Sequence, residues 1–276
     1  MRIIRVFPRK TSMTPGDTYA FVGDPPLWRP EANEVHVSVA FTWDTEEGQR
    51  LAEAWGNHYE TVKLGGPAFG DSKGNFEPGV YLKHGVTITS RGCPNKCPWC
   101  LVPKYEGELR VLPIRPGWIV QDNNLLATPH NHQAAVFEML KAQGRRVSFP
   151  GGLDARLLTP WAVEQLRSLP IREAFFAADS KGMISVVANV RKQLDFLSRR
   201  QLRCYVLIAY GDESIAEAKK RLEAVWRAGY LPFAQLFQPP DRWLNYSQPW
   251  KALARTWSRP AAMFAMHKGG REHDKV

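Results

Sequence analysis

The chain has 276 residues, 44% hydrophobic and 23% charged, a balance that excludes a disulfide-stapled miniature or a disordered tail and suits one large α/β domain or a domain with a small appendage. The 37 Lys and Arg against 27 Asp and Glu leave a formal charge of +10, which admits nucleic acid as a partner, yet the cations lie in short clusters (Arg145-Arg146, Arg199-Arg200, Lys219-Lys220-Arg221) typical of solvated helix faces. No apolar run approaches the roughly 18 residues that span a bilayer, and Met1 to Lys10 is interrupted by charge where a signal peptide is apolar, so the expectation is a cytoplasmic protein with no membrane partner.

Residues 1–34 carry Pro8, Pro15, Pro25, Pro26 and Pro30 with Gly16 and Gly23, and read as a strand followed by surface loops. Glu34 to Phe41 then alternates as a strand, Thr45 to Trp55 places Leu51, Ala52 and Trp55 on one helical face, and Thr61 to Leu64 reads as another strand. This βαβ unit is expected to make residues 1–80 a small N-terminal appendage.

The stretch Arg91-Gly92-Cys93-Pro94-Asn95-Lys96-Cys97-Pro98-Trp99-Cys100 follows, and it holds three of the 4 cysteines in the spacing C-x3-C-x2-C. Disulfide pairing would strand one of the three, whereas three thiolates on one loop can converge on a metal centre. An iron–sulfur cube takes four ligands, so three local cysteines leave one iron open to a reactant. The alternative is structural zinc, with His84, a distant histidine or Cys204 as the remaining ligand, although no second C-x2-C or H-x3-H pair is present.

With Trp99 just before the third cysteine and a hydrophobic strand ahead of the first, the motif resembles the radical S-adenosylmethionine (SAM) superfamily. The resemblance implies a [4Fe-4S] cluster on Cys93, Cys97 and Cys100, with SAM chelated at the open iron. It implies reductive cleavage of SAM to a 5′-deoxyadenosyl radical that acts on a substrate the sequence does not identify, with a flavodoxin- or ferredoxin-type protein as reductant. It further implies that Trp99 packs on the cluster and the adenine. The competing function is a zinc-stabilised nucleic-acid-binding protein without catalytic activity.

From Val86 onward strands and helices alternate, as a parallel α/β fold requires. Six strands are expected, at Val86–Ser90, Trp118–Asp122, Val147–Pro150, Glu173–Ala178, Arg203–Tyr210 and Leu231–Phe237. Thr128-Pro129 and Thr159-Pro160 read as helix starts, Ser214 with Glu217 as a capping box, and the longest remaining helix as Met183 to Arg199. Six strands match the partial (β/α)6, TIM-like barrel of the radical SAM core, assigned to 81–240, with the cysteine loop after its first strand. The prolines and glycine at Pro103, Gly107, Pro113 and Pro116 reduce the first barrel helix to a turn at most.

Two finer resemblances concern flanking stretches. Gly65-Gly66-Pro67-Ala68-Phe69-Gly70 resembles the end of the Rossmann-like domain of cobalamin-associated members, but no D-x-H-x-x-G stretch supplies a histidine for cobalt, so cobalamin is not expected. Leu101 to Arg110 resembles the post-cluster segment of methylthiotransferase-like members, while no cysteines remain to hold the second cluster that sulfur insertion would use.

Ligands of parallel α/β folds gather at the carboxyl ends of strands, which singles out Asp122, Asn123 and Asn124, then Gly151, Gly152 and Arg156. The glycine pair admits close backbone approach and Arg156 suits the methionine carboxylate of SAM; the rival arrangement is a plain turn with Arg156 paired to Asp154. Asp122 and Asn124 are assigned to SAM or substrate, against an Asx turn. Cys204 reads as a buried apolar packing group, and His130 and His132 as surface residues. No residue is assigned to proton transfer or other catalysis. Residues 241–276 form a basic, aromatic extension with Trp243, Trp250 and Trp257 seven apart. There Pro249 opens a helix bearing Trp250, Leu253 and Trp257 on one face, suited to closing the barrel or to stacking on a nucleic acid, and the end from about His267 reads as frayed.

Overall fold

Alternation of apolar and polar side chains builds a parallel sheet from β1 (Ile3–Phe7), β2 (Ala20–Val22), β3 (Glu34–Ser38) and, beyond helix α1 (Thr45–Gly56), β4 (Val62–Gly65). The computed structural model describes residues 2–71 and 76–267. The strand order is β2-β1-β3-β4, with Ile4 opposite Val35, Val6 opposite Val37 and Val37 opposite Leu64. Ile4, Val6, Val35, Val37 and Val39 share one face with Leu51 and Trp55 of α1, and all seven are buried. Burial of each such side chain contributes about 1.5–3 kcal/mol. The expected βαβ unit is therefore one end of a larger sheet, completed by the expected first strand, β1, and by β2, which lies where sequence pattern offered loops.

The chain continues through β5 (Val86–Thr87), β6 (Ser90–Arg91), a single helical turn α2 (Val102–Tyr105), β7 (Arg110–Val111), β8 (Ile119–Val120) and α3 (His130–Ala142). β5 pairs with β8 in parallel and β6 with β7 antiparallel, so an antiparallel ribbon closes the cysteine loop at its base. These elements and the first sheet make up one compact unit, residues 1–123 with 128–143 and 240–243. Thr128 does not cap α3: Pro129 precedes the first helical residue, and the Thr128 carbonyl accepts from Gln133 Nε2 at 2.7 Å.

The second unit comprises residues 124–127, 144–239 and 244–276, the last nine of which lie outside the described residues, together with the expected frayed end. It contains β9 (Val147–Phe149), α4 (Pro160–Arg167), β10 (Ile171–Ala177), α5 (Met183–Gln193), β11 (Leu202–Ile208), α6 (Ile215–Arg227), β12 (Leu231–Leu236), α7 (Gln248–Thr256) and α8 (Pro260–Met266). Strands β9 to β12 pair in parallel in chain order. Thr159 caps α4 and Ser214 with Glu217 forms the capping box of α6. α5 stops six residues short of the expected Arg199, because Leu194 leaves helical geometry and, with Leu197, turns inward to be buried. Pro249 lies in the first turn of α7, and the carbonyl of the buried Trp257 accepts from Ala234 N on edge strand β12 at 3.2 Å. Two of the cationic clusters are occupied here: Arg199 stacks on Trp226, Arg200 on Phe264, and Arg221 is a buried partner of Glu213.

All six strands expected from Val86 onward are present and in parallel pairings, so the fold is α/β. Among the described residues no closed barrel is formed, and no helix is long and apolar enough to cross a membrane.

Candidate functional site

The cysteine loop is held from beneath by one buried carboxylate. Asp122, just past β8 and 1% exposed, accepts from Thr89 N at 2.6 Å, Thr89 Oγ1 at 2.6 Å and Ser90 Oγ at 2.8 Å. Burial pushes its carboxyl pKa up, and the hydrogen bonds from Thr89 and Ser90 oppose that rise. The next residue extends the support, for Asn123 Oδ1 accepts from Gly92 N at 2.9 Å. Gly92 has φ +79°, and a Cβ there would lie 2.1 Å from the carbonyl oxygen of Glu108, so only glycine fits where the two arms of the loop cross. Arg91 Nη1 donates to Glu106 Oε1 at 3.0 Å and Arg110 Nη1 to the Glu106 carbonyl at 2.6 Å, locking the ribbon to the turn of α2.

Between these anchors Cys93, Cys97, Cys100 and Trp99 are each half-buried, and Cys100 N donates to the Cys97 carbonyl at 3.0 Å in a tight turn. The chemistry of the donor set, three thiols on one braced loop, fits an iron–sulfur cluster with one open iron. Among the described residues no three His, Cys, Asp or Glu side chains are already gathered as an ion site, so a bound metal would draw the thiolates together itself.

Asp122, expected at a ligand-facing strand end, has its carboxylate engaged by Thr89 and Ser90. His132, read as a surface residue, is half-buried with Nε2 3.3 Å from Thr89 Oγ1, and burial lowers its pKa. Thr89, Ser90 and Glu106 are the supporting residues that sequence reasoning missed, and Asn123, singled out as a strand-end candidate, holds Gly92. The available signal was two hydroxyl residues ending one strand and an acid ending the next.

In the second unit the remaining candidates meet at Asp154. Its carboxylate accepts Arg156 Nε at 2.9 Å and Nη2 at 2.7 Å in a bidentate pair, Arg156 N at 3.1 Å, and Asn124 Nδ2 at 3.3 Å. The Arg156 side chain is 48% exposed and Asp154 9%, so the guanidinium is held at the surface by its own loop. Gly151 and Gly152 form the turn after β9, Gly152 with φ +93° and open space where a Cβ would be, and Leu153 N anchors the loop to Phe175 O at 2.7 Å. The pairing of Arg156 with Asp154 is thus formed, and Asn124 joins it. Later strand ends are likewise bonded internally: Asp179 accepts from Leu207 N at 2.9 Å, and Glu213 from Ala209 N at 3.0 Å and Arg221 Nε at 2.7 Å. Cys204 is fully buried on β11, which raises its thiol pKa and makes it an apolar packing group.

No protein-family model matches the chain, and no curated protein is significantly similar to it.

Proposed function

We propose that the protein is a radical SAM enzyme with its [4Fe-4S] cluster on Cys93, Cys97 and Cys100. The observation that carries this reading is the cysteine loop: three half-buried thiols in C-x3-C-x2-C spacing, with Gly92 and the turn at Cys97–Cys100 fixed by backbone bonds and a buried carboxylate at the base. When bound, the reduced cluster supplies the electron that cleaves SAM to methionine and a 5′-deoxyadenosyl radical.

The chain's own part is binding and positioning. Asp122 and Asn123 hold the loop's entry, Glu106 its exit, and Trp99 offers an aromatic face beside the third cysteine. Gly151, Gly152 and Asn124 present backbone and amide groups at the end of β9, and Arg156 supplies a cation for a carboxylate, in competition with Asp154. In this reading the loop follows the first strand of a partial (β/α)6 barrel, the reductant is a flavodoxin- or ferredoxin-type protein, and the location is cytoplasmic. Cobalamin has no part in the proposal, because no D-x-H-x-x-G stretch is present.

Anaerobic purification followed by iron, sulfide and zinc analysis tests the centre. Iron and sulfide in equal amounts are the expected result, and slow release of 5′-deoxyadenosine from SAM under a strong reductant is expected even without substrate. Stoichiometric zinc without sulfide would refute the reading and favour a zinc-stabilised nucleic-acid-binding protein, for which the charge of +10 is the supporting feature.

A further inference from the structure

The sheet of the first unit has two unlike faces. One is closed by α1 over the valine and isoleucine core. The residues alternating with that core, among them Arg5, Phe7, His36, Ser38 and Lys63, point to the other face. A parallel sheet ordinarily has helices on both faces, but β1 and β2 are joined by residues 8–19, where Pro8, Pro15 and Gly16 disfavour a crossover helix. An irregular stretch crosses this face instead. Arg5 Nη1 donates to the carbonyls of Gly79 at 3.3 Å and Val80 at 3.1 Å, and Tyr81 Oη lies 2.6 Å from His36 Nδ1.

A strap of irregular chain fills less space than a helix, and it leaves a cavity of about 420 Å³. The cavity opens beyond the carboxyl ends of β1, β3 and β4, at Phe7, Ser38 and Gly65. Because β2 and β3 flank β1 on opposite sides, the β1/β3 boundary is the topological switch point of the sheet, where ligands of open α/β sheets bind. Its size falls within the ~300–1,000 Å³ of small-molecule sites.

The lining selects a chemical class. Two aromatic side chains line it: Phe41, stacked on Trp43 at 4.8 Å and 10° with the Arg9 guanidinium over its ring at 5.9 Å, and Tyr81, stacked on His36 at 6.1 Å and 16°. At the rim, Arg9 Nε donates to Asp44 Oδ2 at 2.6 Å, with a second bond from Nη2 to Oδ1, so a buried acceptor and a half-exposed guanidinium stand side by side. The charged lining residues are three cations, Arg9, Lys63 and Arg91, and three anions, Asp44, Asp71 and Glu77, which cancel. No single-sign field draws a polyanion. Aromatic rings beside the guanidinium donors that the Asp44 pair leaves over suit a planar ring with a carbonyl edge.

We propose that this cavity binds a neutral, planar heteroaromatic compound of purine, pterin or flavin ring size. The proposal does not rest on a metal at the cysteines, and of the cysteine stretch only Arg91, at its entry, lines the cavity. Its test is calorimetry and saturation-transfer NMR on the full chain with riboflavin, pterin and guanine as probes and ATP as the polyanionic comparison. At least one neutral ring should bind saturably at one per chain, more tightly than ATP. Its affinity should fall about tenfold or more in Phe41→Ala, which removes a wall, and in Ser38→Trp, which fills the space. Should Ser38→Trp fail to fold by circular dichroism, Tyr81→Ala, at a residue 41% exposed, takes its place. Failure of all three rings to saturate, tighter binding of ATP, or affinities unchanged in the folded variants would each overturn the proposal.

Discussion

The base of the cysteine loop and the end of β9 both lie past the carboxyl ends of parallel strands, and both contain an acid at the first polar turn, yet the two acids are used differently. Asp122 faces inward and ties Thr89 and Ser90, more than thirty positions earlier in the chain, so that the loop above it is held while its thiols stay half-buried. Asp154, 9% exposed, takes chiefly Arg156 two residues away in a bidentate pair, with Asn124 as a longer contact at 3.3 Å. The same residue type at the same kind of position braces a distant segment in one case and occupies a neighbouring cation in the other. A strand-end acid is therefore not evidence of a ligand contact until its partners are known.

The sharpest way to break this contrast is to remove the thiols. Replacing Cys93, Cys97 and Cys100 by alanine should abolish iron and sulfide uptake completely, while Cys204→Ala, which loses only packing, should retain both; metal analysis after anaerobic reconstitution checks the pair. Next in size is the brace. Asp122→Ala leaves three buried donors without an acceptor and should cost about 2–4 kcal/mol in denaturant unfolding. It should also speed loss of iron to a chelator, with Asp122→Asn restoring much of both; unaltered iron retention in a folded Ala variant would show that the carboxylate supports the strand and not the loop.

On the other side of the contrast, Arg156→Ala should weaken SAM binding about tenfold with iron content unchanged, if the guanidinium exchanges Asp154 for the methionine carboxylate. An unchanged SAM affinity would mean that the pair with Asp154 is its whole role. The smallest expected effect is at the capping box of α6. Ser214→Ala should cost about 1 kcal/mol without altering cluster content. Hydrogen bonds from the Ser214 backbone and side chain, then Lys181, hold the Glu217 pKa at about 2, below its ordinary 4.5. Because that folded pKa is depressed, the associated stability is present above about 4.5 and lost as pH falls toward 2, and urea titrations across this range should show a shallower acid loss in the Ser214→Ala variant.

Much of this molecule is legible in the residue order because it depends on near neighbours. Period-two apolar alternation fixes β3 and β11, Ser214 and Glu217 fix the start of α6 through bonds spanning three residues, and the spacing of Cys93, Cys97 and Cys100 fixes the donor set on one loop. What stayed hidden depends on groups far apart in the chain. The first sheet has four strands because Ile3–Phe7 pairs with Glu34–Ser38 across thirty residues and with Ala20–Val22, set among prolines and glycines, on its other side, and local pattern carries no record of those partners. The end of α5 is set by burial of Leu194 and Leu197 and not by propensity. Most of all, whether Asp122 meets a ligand or Thr89, whether His132 meets water or Thr89, and whether Arg156 is engaged by Asp154 are decided by competition among hydrogen-bonding partners once the chain has packed. That competition is settled by desolvation: a buried polar group must take the partner that tertiary structure brings within reach.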